Sequence, residues 1–134
     1  MELKSVHNFP PEVRLTQVVE TDIGMLYFYK NILVLEGKEG VTLSYKTAFS
    51  VLLKSLQLLG PRPWVFISNR VNSYSISPTD FSYLNRVPTL KAIAIVNYTD
   101  SAKQNAELET QFCKKPNKNF DKIEDAYNWA KTFL

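Results

Sequence analysis

Cysteine and histidine are almost missing from this chain, with one of each, Cys113 and His7, in 134 residues. A lone cysteine excludes an internal disulfide, and with no Cys or His beside it no metal-ligand spacing arises. Cys113 reads as a passive, half-buried thiol, reduced in a cytoplasmic setting. A single histidine in a polar N-terminal stretch gives no basis for a Ser-His-Asp site, and His7 is expected to be a solvated side chain. The four glycines are scattered and form no phosphate-cradling loop. Residues 1–7 carry no apolar segment of signal-peptide type, and no apolar run is long enough to span a bilayer. The net charge is only +3, which does not imply nucleic acid. Lys114, Lys115, Lys118 and Lys122 form the one basic patch and read as a solvated face. Neither Glu36 with Glu39 nor Glu107 with Glu109 makes a convincing acid/base pair, since the first two belong to a turn and the second two to different helical faces. No catalytic residue, metal or cofactor is expected, and the chain reads as a non-enzyme.

What is present is the balance of a globular protein, 45% hydrophobic and 22% charged. There is no repeat, low-complexity tract or linker, so residues 1–134 are expected to form a single domain. Residues 15–20 alternate weakly as a strand. Residues 25–29 and 32–35 are rich in aromatic and branched side chains, and only Lys30-Asn31 separates them, which predicts a tight antiparallel hairpin with Asn31 at positive φ. Glu36-Gly37-Lys38-Glu39-Gly40 breaks the pattern. Tyr45, Ala48, Phe49, Leu52, Leu53, Leu56 and Leu59 then recur at helical spacing, ended by Gly60-Pro61, and predict an amphipathic helix with that stripe in the core. Two short apolar runs, 64–67 and 92–96, predict adjacent parallel strands joined through a short helix that bears Phe81 and Leu84 and stops at Pro88. Thr99-Asp100 predicts the start of a polar helix with Ala102, Ala106 and Phe112 inward. Residues 116–120 read as extended, and 121–134 as a last helix opened by an Asp121/Glu124 capping box. The sum is an α/β fold, a mixed β-sheet with helices packed on it.

The stretch that fits no core pattern is residues 66–78. It follows a buried strand and precedes a helix start in which Ser77 is the N-cap, Pro78 the first helical residue and Asp80 the partner three residues on. Asn69, Arg70, Asn72, Ser73, Tyr74, Ser75 and Ser77 crowd donors into this loop. The carboxyl end of a central strand is where open α/β sheets bind ligands. A helix N-terminus favours anions, and Arg70 offers a bidentate fork for carboxylate or phosphate. The alternative stays open that these side chains satisfy the loop's own backbone, with Arg70 paired to Asp80 or Glu36.

The run Ile67-Ser68-Asn69-Arg70-Val71-Asn72-Ser73-Tyr74-Ser75, ahead of a helix, resembles the STAS domain, the anti-sigma-factor-antagonist fold. With Tyr27-Phe28-Tyr29, Glu39-Gly40-Val41, Glu109 with Phe112, and Ala126 to Ala130 including Trp129, the whole chain is similar to SpoIIAA-like (STAS/SEC14-type) bacterial proteins. The resemblance implies a regulatory or protein-interaction module with a kinase- or regulator-type partner. It makes Ser73, Ser75 and Ser77 the candidates for phosphorylation, although the usual Asp-Ser-Ser-Gly pattern is missing. The other function in view is binding of a small anion, a nucleotide or a lipid through the same loop and helix N-terminus.

Overall fold

The computed structural model describes residues 5–78 and 81–134. Among these residues eight strands and four α-helices follow in the order β1 (Gln17–Thr21), β2 (Gly24–Tyr29), β3 (Ile32–Gly37), β4 (Thr42–Leu43), α1 (Tyr45–Leu59), β5 (Trp64–Arg70), β6 (Ser75–Ile76), α2 (Phe81–Asn85), β7 (Leu90–Asn97), α3 (Asp100–Glu109), β8 (Asn117–Phe120) and α4 (Ile123–Ala130). Six strands make one mixed sheet in the order β1-β2-β3-β5-β7-β8. The first two pairings are antiparallel and the other three parallel. Strands 64–70 and 90–97 are adjacent and parallel, as their apolar runs predict. A separate two-stranded piece pairs β4 with β6 in parallel. Two-residue strands carry no periodicity, so nothing in the sequence announces them.

The 25–29/32–35 hairpin forms as expected, but positive φ falls on Lys30 (54°), not on Asn31. The break expected at Glu36 also comes later. Strand β3 continues through Glu36 to Gly37, which places the Glu36 carboxylate on the sheet and outside any turn.

Side chains alternate between two faces, because β-strand residues point up and down in turn. One face carries Leu33, Leu35, Phe66, Ile93 and Ile95 under α1, α2 and α3. The other carries Val34, Val65, Ile67, Ala92, Ala94 and Val96 under α4 and the N-terminal segment with Phe9. On this second face Ala92 and Ala94 meet Ala126 and Ala130, all fully buried, so α4 comes close to β7. Trp64 is buried, and its indole N–H donates to Thr89 Oγ1 at 2.9 Å, which satisfies its one polar atom.

Helix α1 turns differently from the expected stripe. Ala48, Val51, Leu52, Leu56 and the buried Ser55 and Leu59 face the sheet, while Phe49 and Leu53 are exposed. Ser55 tolerates burial because its hydroxyl donates to the Val51 carbonyl at 2.8 Å. The Tyr45 side chain lies outside the described residues. Thr99 caps α3 as expected, accepting from the Ala102 N–H, and Ala106 is buried, but Phe112 points outward, 54% exposed. The Asp121/Glu124 box does not form, since Lys122 occupies the N-cap of α4 and makes no side-chain bond there. The Ser77/Asp80 capping box extends over residues outside the described ones. Ser77 itself continues from β6 and donates its N–H to the Leu43 carbonyl at 2.8 Å.

Candidate functional site

Strand β5 delivers Ser68, Asn69 and Arg70 to the carboxyl end of the parallel strands, but alternation splits them. Ser68 and Arg70 belong to the α1–α3 face, and Asn69 to the α4 face. The loop therefore contributes to two polar clusters, one on each side of the sheet.

The first cluster is sealed. Arg70 Nη1 donates to Glu109 Oε2 at 2.6 Å and Nη2 to Oε1 at 3.1 Å, with side-chain exposures of 1% and 5%. The Ile76 N–H also donates to Glu109 Oε1, so one carboxylate at the end of α3 ties both β5 and β6. Arg70 stands 5.2 Å over the Tyr74 ring. The Tyr74 and Ser68 hydroxyls are 2.6 Å apart, and Tyr74 donates to the Leu35 carbonyl at 3.2 Å. Burial pushes the Tyr74 phenol up to about 12, against the opposing effect of the Arg70 charge and the Ser68 bond. The ring lies flat against Gly37, where a Cβ would come within 2.6 Å of it, so only glycine fits. Arg70 is thus a structural tie, and the open fork expected for an anion is engaged by Glu109.

Above this base the loop is pinned to the β3–β4 turn. Asn72 Nδ2 donates to the Gly37 carbonyl at 3.0 Å, the Ser73 N–H to Glu39 Oε2 at 2.7 Å, and the Gly40 N–H to the Ser73 carbonyl at 2.6 Å. Of the serines, Ser73 is exposed at the tip beside Val71 and Asn72. Ser75 is half-buried in β6, its Oγ 3.2 Å from Thr42 Oγ1, and Ser77 is half-buried after it.

The second cluster was not legible as a site. His7 is not the solvated side chain expected. Its Nε2 lies 2.7 Å from Glu36 Oε2 and its Nδ1 2.5 Å from the Tyr29 hydroxyl, with its side chain 5% exposed. Asn69 Nδ2 donates to the same Glu36 oxygen at 2.7 Å, and the Tyr98 hydroxyl donates to Asn69 Oδ1 at 2.7 Å. Burial pushes the Glu36 carboxyl up, but bonds from His7 and Asn69, the His7 charge and a Tyr27 bond outweigh it and hold the group below the usual range. Burial pushes the Tyr29 phenol upward, against the lowering effect of bonds from Ser5 and Val6. Glu36 was readable only by continuing the alternation of β3 one residue further. Nothing local marks His7 as its partner, 29 residues away.

Elsewhere, burial pushes the Cys113 thiol above its usual range, consistent with a passive thiol. In the basic patch, Lys115 donates to the Val87 carbonyl at 2.5 Å and Lys118 stands 5.6 Å over Phe120. Among the described residues no group of three His, Cys, Asp or Glu is placed to hold a metal ion. No helix is long and apolar enough to cross a membrane among those residues.

No family model matches the chain. No curated protein matches it. Among solved structures, the chain is similar to an uncharacterised protein from the DUF3478 family of Shewanella loihica PV-4, described as having a SpoIIAA-like fold. The two are 13% identical, with 85% of this chain and 90% of that one covered and a TM-score of 0.47.

Proposed function

We propose that this chain is a non-catalytic regulatory module that docks a protein partner through the strand-to-helix loop 68–78, with Val71, Asn72 and Ser73 as its contact tip. One observation carries the reading: an exposed tip stands on a base held by a buried, bidentate ion pair. Val71 is 49% exposed, whereas Arg70 immediately before it is 3% exposed. Loops fixed on a rigid scaffold are where proteins place recognition, and a pre-ordered loop loses less conformational freedom on binding. Asn69, Arg70 and Tyr74 serve this reading as braces, while Asn72 and Ser73 are the contact residues. Ser75 and Ser77 lie in the brace between tip and helix. The small-anion and nucleotide readings draw no support from Arg70, whose fork is engaged.

Ser73 is the phosphorylation candidate that the geometry favours over Ser75 and Ser77, because it alone of the three is exposed. A phosphate there would add negative charge beside Glu39, which accepts the Ser73 N–H. Repulsion would release that bond and loosen the tip.

The test is affinity capture from the native host with the wild-type chain, a Val71→Asp/Ser73→Asp tip variant and a Val18→Asp control on β1, each checked by thermal melting. The expected result is a partner held by wild type and control but lost by the folded tip variant. Equal capture by all three would place the contact surface elsewhere.

A further inference from the structure

Strands β5 and β7 end together, with Arg70 and Asn97 as their last paired residues. Each strand is followed by an exposed bulky residue, Val71 at 49% and Tyr98 at 50%. Val71 belongs to the contact tip. Tyr98 belongs to the other polar cluster, and its ring is tethered there. Its hydroxyl donates to Asn69 Oδ1 at 2.7 Å, and Asn69 Nδ2 donates to Glu36 Oε2 at 2.7 Å. An ionised carboxylate only accepts, so the Asn69 amide has one orientation and its oxygen faces Tyr98. Asn69 is buried, which fixes the inner end of the tether in the sheet. Tyr98 therefore turns its polar hydrogen inward and shows water its ring. A tyrosine ring offers large contact area at low conformational cost, and a tether lowers that cost further.

The charges that act on this ring are negative. Burial raises the Tyr98 phenol above its usual range, and the Glu36 and Glu124 charges add to it against the Asn69 bond. Glu36 lies at the inner end of the tether with 19% of its side chain exposed, and Glu124 is half-buried in the first turn of α4. The first turn of α3, just past Tyr98, adds the exposed Asp100. Lys38, Lys103 and Lys122 are the cations of the flanking segments, and all three are exposed to water. An aromatic face beside two carboxylates fits a planar cation, which can stack on the ring and fork to an acid.

We propose that Tyr98 is a specificity-determining contact of the docking surface, the ring on which an arginine side chain of the partner protein stacks, with Glu36 and Glu124 as counter-charges and Asn69 as the positioning residue. The proposal rests on the reading of this chain as a protein-binding module and names one chemical feature of the partner. Because β5 and β7 are adjacent, one partner can meet Val71 and Tyr98 together.

The probe is a phage-displayed library of random dodecapeptides panned against the intact protein, with thermal melts confirming that every variant used is folded. Recovered peptides are expected to share an arginine. Tyr98→Ala should weaken a recovered synthetic peptide about tenfold or more, as loss of a hot-spot ring does. In that background, replacing the peptide's arginine by alanine should cost little further. Tyr98→Phe keeps the ring but releases it from Asn69, and should weaken the peptide several-fold. Asn69→Ala should weaken it to a similar extent in the wild-type chain and not at all in Tyr98→Ala, a dependence that a merely structural loss would not show. If Asn69→Ala unfolds the protein, Tyr98→Phe carries that arm. Glu124→Gln should weaken the peptide several-fold and flatten its salt dependence. Failure to enrich any peptide, recovered peptides without arginine, or affinity indifferent to Tyr98→Ala would overturn the proposal. The tip reading fails separately. If Val71→Asp/Ser73→Asp removes native-partner capture and Tyr98→Ala does not, only the Tyr98 contact falls; if Tyr98→Ala alone removes it, the tip reading falls.

Discussion

Two acid-centred clusters stand at the same end of the sheet, on opposite faces, and they differ in how far water reaches the carboxylate. Glu109 meets Arg70 with both side chains almost wholly out of water. Glu36 meets His7 with 19% of its own side chain exposed, and its hydrogen-bond chain ends at Tyr98, which is 50% exposed. The first cluster pairs a group that is always charged with a carboxylate. The second pairs a carboxylate with an imidazole that carries charge only when protonated. A sealed pair holds geometry, while the second leaves its carboxylate partly open to water. Their sequence positions say little of this, since Asn69 and Arg70 are neighbours and go one to each cluster.

The sharpest test of the contrast is Glu109→Ala. It leaves the Arg70 guanidinium buried without its counter-charge and frees the Ile76 N–H, and should lower stability by about 3–5 kcal/mol. Replacing both partners, Arg70→Met with Glu109→Leu, should recover most of that loss, because the penalty comes from the orphaned charge. Chemical-denaturation midpoints measure both. A single variant as stable as wild type would mean that the cluster is not sealed. Gly37→Ala tests the same side with a smaller effect. Its new Cβ meets the Tyr74 ring, and displacing that ring should cost about 1–3 kcal/mol. Tyrosinate absorbance gives a second readout. With its phenol raised to about 12, Tyr74 should ionise well above a free tyrosine, and the stability it lends is lost as pH rises from 10 toward 12.

How much of this was legible follows from where the signals live. Apolar runs at 64–67 and 92–96, and helix periodicity at 45–59, are local patterns, and the parallel pairing of β5 with β7 follows from the two runs. Phe49 and Leu53 fit the apolar stripe of α1 yet lie outside its covered face, because periodicity defines a stripe but not which edge of it the sheet covers. The site was half legible. Residues 68–77 do form a distinct polar stretch, yet Arg70 looked like a recognition group because its partner Glu109 lies 39 residues away on another element. His7 looked solvated for the same reason. Long-range pairing of charged groups leaves no periodic trace.

Glu36→Gln probes the wet cluster. Glu36 has a depressed pKa in the folded chain, so its contribution is complete above its ordinary value of 4.5 and is lost as pH falls through the lower folded value. The variant should be less stable by about 1.5–3 kcal/mol at neutral pH, the scale of a hydrogen bond to a charged group. It should also lose part of the acid-limb slope that wild type shows. A variant with an unchanged acid limb would mean that His7 and Asn69 do not favour the carboxylate.

The smallest effect belongs to the tip, and there smallness is the point. Ser73 is exposed, and it is held through backbone atoms, its N–H to Glu39 and its carbonyl to Gly40. Ser73→Ala keeps both, so its stability should stay within about 0.5 kcal/mol of wild type. Glu39→Gln weakens the acceptor of the Ser73 N–H but keeps a polar oxygen there, and should cost about 0.5–1 kcal/mol. Ser73→Asp sets a carboxylate beside Glu39 and should shift the melt no more than Glu39→Gln does, because the brace under the tip is unaltered. Hydrogen exchange gives the decisive reading. In Ser73→Asp the Ser73 and Gly40 amides should exchange faster, while the Ile76 amide, held by Glu109, should be unchanged. Faster exchange at Ile76 as well would show that tip and brace open together, and the rigid-base reading of the loop would fail.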